Sequence, residues 1–141
     1  MLTNHLQVLE DARQKFNQGD VAGYLKTLYR PDVILHYLPP GLPPGYEGGR
    51  LFYGGFLAGF PDAQLVFDET IAEGDQVAVR FHVDMTHQGE FNGIPPTGKL
   101  VSLAGITIMR FVDGKVAERW NESDFMGLLQ QLGAVPAPQQ G

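Results

Sequence analysis

Three histidines and a few carboxylates, set among apolar runs, are the groups of this chain best equipped for chemistry. His36 follows Val33-Ile34-Leu35. An imidazole titrates near neutrality, so His36 could act as a general base facing a cavity, or stand as a hydrogen-bonded histidine at a strand end. His82 shares one strand face with Arg80 and Asp84. In an apolar pocket that trio would be a tuned acid/base with a charged orienter; on a solvated or partner-facing sheet it would be an ion-pair set. His87 added to His82 and Asp84 gives a spacing too generic for a metal, and no metal site is expected. Asp124 is the first carboxylate after the last strand. It could be an acid or base at a cavity mouth, or the cap that satisfies the first amides of a helix. Trp120 shares a face with Glu118 and is either a pocket wall or an interface anchor. Tyr37, Tyr46 and Tyr53 supply phenols that donate to a ligand or form wall and lid.

Composition removes several alternatives. The chain has 141 residues, 43% hydrophobic and 18% charged, with a formal net charge of -6. That is one ordinary globular domain with enough chain for a core. The acidic balance lacks the basic face that nucleic acid requires. Without cysteine there are no disulfides, thiolate metal sites or Cys nucleophile. No apolar run reaches membrane length, and the N-terminus lacks the pattern of a leader, so a cytoplasmic protein with no membrane partner is expected. The Gly41–Gly49 stretch lacks phosphate-loop spacing, and no nucleophile elbow is present.

The elements that must position these groups follow from periodicity. Leu2, Leu6, Leu9 and Phe16 predict a helix over 3–17. Asp20 caps a short helix to Leu28, with Tyr24, Leu25 and Leu28 inward. A strand is predicted over 33–38, a Pro- and Gly-rich loop over 39–49, and a third helix over 49–60. Strands then follow over 63–71, 77–85, 99–111 and 115–123. The 77–85 strand turns Val77, Val79, Phe81, Val83 and Met85 to one face. Asp113-Gly114 is a hairpin tip. A last helix runs from Ser123 or Asp124 to Gly133. Residues 1–133 form one domain, and 134–141 a flexible tail. The order predicts an α+β fold.

Gly93-Ile94-Pro95-Pro96-Thr97-Gly98, Arg110-Phe111-Val112-Asp113-Gly114-Lys115, Asp124 with Leu128 to Gly133, and Arg30-Pro31-Asp32 before the first strand occur in a telling order. Over residues 3–133 this resembles the SnoaL-like polyketide cyclases of the NTF2-like superfamily. The resemblance implies a cone: a curved antiparallel sheet with helices on its concave face, enclosing a pocket, and a homodimer through the outer sheet face. It implies ring closure of polyketide esters by intramolecular aldol condensation, without metal or organic cofactor, on a small apolar carbonyl compound.

The family's acid/base aspartate falls at Asn121. Its Gln and His on the preceding strand fall at Gly105 and Thr107, and its pocket Asn near Leu35, beside His36. A carboxamide cannot shuttle a proton near neutral pH. The resemblance therefore suggests Asn121 and Thr107 as donors to a carbonyl or enolate oxygen. His36 or Asp124 would be the base, and Tyr46, Tyr53, Trp120 and His82 would complete the substrate site. The alignment turns Asn121 inward and Glu118 and Trp120 outward, unless a bulge near the turn reverses that parity. The superfamily also holds isomerases, dehydratases, epoxide hydrolases and binding domains. Two further readings thus stay open: a non-catalytic binding protein, and an epoxide-hydrolase-like enzyme in which Asp84 and Asp124 converge on a water.

Overall fold

Helix α1, Leu2–Asn17, lays His5, Leu9, Ala12 and Phe16 against the sheet. The buried stripe differs from the one expected, since Leu6 is 43% exposed and His5 takes the inward position. His5 is stacked on Phe111 with ring centroids 4.2 Å apart. The coordinates are a computed structural model that describes residues 2–136, with side chains from residue 4. Most of the expected tail, from residue 137 on, lies outside the described residues.

Helix α2, Val21–Leu28, is capped by Asp20, whose carboxylate accepts from the Gly23 amide at 2.8 Å. It buries Tyr24, Leu25 and Leu28 as expected. Strand β1 runs Tyr29–Leu35, four residues earlier than the apolar run suggested. It includes Pro31, which a sheet edge tolerates because no ladder donor is needed there. Helix α3, Tyr46–Gly59, likewise starts early. Its first turn carries Gly48, where a Cβ would lie 1.8 Å from the Pro43 carbonyl. Glycine there marks close packing of helix on loop, not a break in the helix.

Strands β2 (Gln64–Glu73), β3 (Gln76–Thr86), β4 (Leu100–Val112) and β5 (Lys115–Ser123) form an antiparallel meander, and β1 joins the β5 edge in parallel. The order is β1-β5-β4-β3-β2. Asp113 and Gly114 both have positive φ, as the tight hairpin turn demands. Helix α4, Phe125–Leu132, is capped by Asp124 and closed by left-handed Gly133. Gln131 fastens it to β4 through both backbone groups of Ser102, each at 2.8 Å. Four helices and one mixed curved sheet make the α+β cone that was expected.

One residue sets what faces the interior. At the β4–β5 turn Phe111 pairs with Val116, but Arg110 pairs with Glu118, leaving Ala117 as a bulge. Strict alternation from inward Val116 would turn Arg119 outward. The extra residue instead pairs Arg119 with Met109 and Asn121 with Thr107, on the inner face. Glu118 and Trp120 go to the outer face.

Candidate active site

The inner end of the cone is built around Arg119, only 7% exposed. Its Nε donates to Thr107 Oγ1 at 2.9 Å. Its Nη1 donates to the phenols of Tyr24, Tyr29 and Tyr53 at 2.9, 2.7 and 3.1 Å. Tyr37 bonds Tyr29 at 3.0 Å and Tyr53 at 2.5 Å, and its ring lies 5.2 Å from the guanidinium carbon. Four elements and one loop thus converge on one cation: α2, β1, α3, β4 and the segment after β1. Thr107 in turn donates to the Trp120 carbonyl at 2.8 Å, which locks it in place.

These partners are hydroxyls, not carboxylates. Burial pushes the phenol of Tyr24 up to about 12 against the opposing pull of Arg119. Burial raises Tyr37 and Tyr53 as well, again against Arg119. For Arg119, burial disfavours the charge, but the surrounding phenol oxygens oppose that and the balance lies above the ordinary arginine value. The cluster therefore carries one positive charge near neutral pH.

Two spaces open from this cluster. An inner cavity of about 50 Å³ touches Tyr53, Arg119, Asn121 and Ser123, and is otherwise walled by aromatic and aliphatic side chains. An outer chamber of about 510 Å³ is bordered by Tyr37, Leu51, Glu90, Phe91 and Asn92. Phe52, Phe56 and Phe125 belong to both. The rim of the chamber is held by His87, fully buried, whose Nδ1 accepts from the Thr97 amide at 3.2 Å. That bond folds the loop after β3 back on itself and brings Glu90, Phe91 and Asn92 to the mouth.

The SnoaL-like polyketide cyclase family model matches residues 6–132. The chain belongs to the SnoaL-like polyketide cyclase family. It is 30% identical over 122 residues to nogalonic acid methyl ester cyclase of Streptomyces nogalater, covering 84% of this chain and 89% of that protein. It is 30% identical over 115 residues to aklanonic acid methyl ester cyclase DnrD of Streptomyces peucetius, covering 76% and 79%. Among solved structures it is similar to AclR, a candidate hydroxylase of Streptomyces galilaeus. There the identity is 33%, the coverage 99% of this chain and 87% of that one, and the TM-score 0.88. It is also similar to IdmH of Streptomyces antibioticus, at 32% identity, 92% and 98% coverage and a TM-score of 0.79.

Against this SnoaL-like framework the residues singled out from sequence divide. Asn121, Thr107 and Tyr53 lie on the inner face with Arg119; Thr107 positions the arginine, and Asn121 and Tyr53 border the cavity. His36 does not face the cavity. Val33 and Leu35 take the inward positions of β1, and the chain turns at 36. Its ring stacks on Trp120 on the outer face, centroids 5.0 Å apart, with Nε2 2.7 Å from Glu118 Oε2. Trp120 is accordingly outside the pocket. His82 is on the outer face too, between Asp68 at 2.7 Å and Asp84 at 3.2 Å. Asp124 spends its carboxylate on the Gly127 amide at 2.8 Å. Asp84 and Asp124 are thus engaged apart, which removes the geometry an epoxide hydrolase would need. Tyr46 borders a separate depression with Lys26 and Lys115. Among the described residues no three His, Asp or Glu gather as a metal site.

Arg119, Tyr24 and Tyr29 were not singled out. The signal was available: placing Asn121 inward also places Arg119 inward, two residues before it. The sequence left open which of the two pairs, Glu118 and Trp120 or Arg119 and Asn121, faces the pocket. Gly105, at the family's Gln position, is explained by space. A Cβ there would meet Phe81 Cζ at 2.7 Å and the Glu122 carbonyl at 2.8 Å.

Proposed function

We propose that this chain is a cofactor-independent enzyme acting on a small, largely apolar carbonyl compound of the polyketide type. The ring body would occupy the outer chamber, and one oxygen would reach Arg119. The chemistry would be proton transfer next to that carbonyl, giving cyclisation, isomerisation or dehydration. Arg119 carries this reading: a cation at the closed end of an aromatic cone, held by hydroxyls alone. Negative charge developing on a carbonyl oxygen is stabilised most where donors are fixed and water is excluded. The inner wall offers no carboxylate or imidazole, so the proton acceptor belongs to the outer chamber, where Glu90 is the bordering carboxylate.

Nogalonic acid methyl ester and aklanonic acid methyl ester, named for two relatives, are the first substrates to test. With either, Arg119→Met lowers kcat about 10²- to 10³-fold, and Glu90→Gln lowers kcat with KM little changed. Wild-type turnover in Arg119→Met defeats the mechanism. The inner wall's lack of Asp, Glu or His also favours a second reading, a binding protein without turnover. A ligand at 100 times its Kd would then add about 2.7 kcal/mol of stability with no product formed.

We also infer a homodimer through the outer sheet face. Ile34, Ile106, Ile108 and Trp120 are each more than one-third exposed there, a patch that a second copy would cover. The absence of cysteine fits the expected cytoplasmic setting.

A further inference from the structure

The outer sheet face has a hollow of its own, a depression of about 430 Å³ bordered by Arg80, Ala104, Ile106, Glu122 and Asp124. Beside it stands a ridge of Ile34, Ile108 and Trp120, each more than one-third exposed. A two-fold pair needs both shapes on one face, since each copy then offers its ridge to the other's hollow. Arg80 on the rim is the one arginine near Asp68 and Glu69, and His82 follows it on the same face. The Nδ1 of His82 lies 2.7 Å from Asp68 and its Nε2 3.2 Å from Asp84. A neutral imidazole carries one N–H, so one of these contacts would set lone pair against lone pair. Only the imidazolium donates to both carboxylates.

We propose that a second copy of this chain docks ridge into hollow on this face, and that docking is linked to the uptake of one proton by His82 of each copy. This docking rests on the homodimer inferred above and adds what controls it. Covering the face takes water from Asp68, Glu69 and Asp84, with Arg80 as their one guanidinium. With His82 neutral, the carboxylates outnumber the cation, a desolvation cost with nothing to offset it. The imidazolium supplies the second cation and ties β2 to β3. Linkage is reciprocal: the proton favours docking as much as docking favours the proton. The groups facing His82 are Asp68 and Glu69 from β2 and Arg80 and Asp84 from β3; β4 sets Ala104 opposite it. The hydrogen bond to Asp68 already holds the ring above its ordinary value in the single chain. The pair is therefore tight in mild acid and loosens as pH rises. His36, the other imidazole of this face, meets Glu118, which Arg110 already neutralises.

Sedimentation velocity of the full chain over a dilution series, at about pH 6 and about pH 8, gives the dissociation constant of the pair on either side of the histidine range. The wild type is expected to loosen at least about tenfold across that span, as when one proton-binding constant moves by one pH unit. Trp120, the single tryptophan of the chain, is expected to move its emission to shorter wavelength as concentration drives pairing. His82→Lys keeps a cation at both pH values and pairs tightly at both. His82→Gln pairs weakly at both, and His36→Gln keeps the wild-type response. An unchanged constant in the wild type, or the full response in His82→Gln, overturns the proton linkage and leaves the homodimer in place. Pairing without movement of the Trp120 emission overturns the docking face. A monomer at every concentration and both pH values overturns the homodimer as well. The wild-type measurements stand without any variant.

Discussion

Removing the guanidinium of Arg119 and removing the carboxylate of Asp124 should have opposite signatures. Arg119 has lost its hydration and gained only neutral hydroxyls, so it is a costly group for the fold to hold. Replacing a buried ionic group with an apolar one of similar size is often neutral for stability. Arg119→Met therefore unfolds in urea within about 1 kcal/mol of the wild type, while ligand response is lost. Asp124→Ala does the reverse. It removes the cap of α4 and costs about 1 kcal/mol, with turnover unchanged. Asn121→Asp sets a carboxylate beside Arg119 and offsets its charge, so kcat with the methyl ester substrates is expected to fall in steady-state assays. At this scale the sequence was partly legible. Asn121 could be turned inward, and Asp124 carried its capping alternative, because both follow from local spacing. His36 was misplaced because its position depends on where β1 ends, one residue before it.

The Ala117 bulge shows how an element decides chemistry. Deleting Ala117 removes the extra residue and leaves Val116 and Glu118 opposite Phe111 and Arg110 in direct succession, so Arg119 and Asn121 stay inward and Glu118 and Trp120 outward. The deletion variant is therefore expected to keep cooperative unfolding by circular dichroism, and loss of it would contradict this placement of the bulge. The meander, the Asp113-Gly114 tip and the last helix were readable because strong alternation and turn residues specify them locally. The starts of β1 and α3 were not. Pro31 and the Gly48-Gly49 pair look like breaks, and only tertiary context makes one an edge residue and the others close contacts. The parallel pairing of β1 with β5 joins segments about 85 residues apart, beyond any local pattern.

Over the whole molecule, the outer sheet face carries the ionic networks, the second of the two readings open for Arg80, His82 and Asp84. His82 is held above its ordinary value, first by its hydrogen bond to Asp68 and then by the charges of Asp68 and Asp84. The folded state binds that proton more tightly than the unfolded chain does. Its stabilisation is complete below about pH 6.5 and is lost as pH rises through the folded value. Asp68→Asn should therefore narrow its deficit to the wild type between pH 6 and 8 in urea melts. His5, lowered by burial, acts the opposite way but is common to both proteins and cancels. On the same face Ile108→Lys should convert the inferred dimer to a monomer by light scattering.

Phe52, Phe56 and Phe125 border both the chamber and the cavity that touches the arginine, and two of them sit on α3 while the third begins α4. A guest that spans the two spaces lies against all three rings. Entry and escape then pass the same three hydrocarbons, which should set how fast a guest exchanges more than how tightly it is held. Trimming Phe125 to alanine would quicken arrival and departure together in stopped-flow traces, with far less change in their ratio.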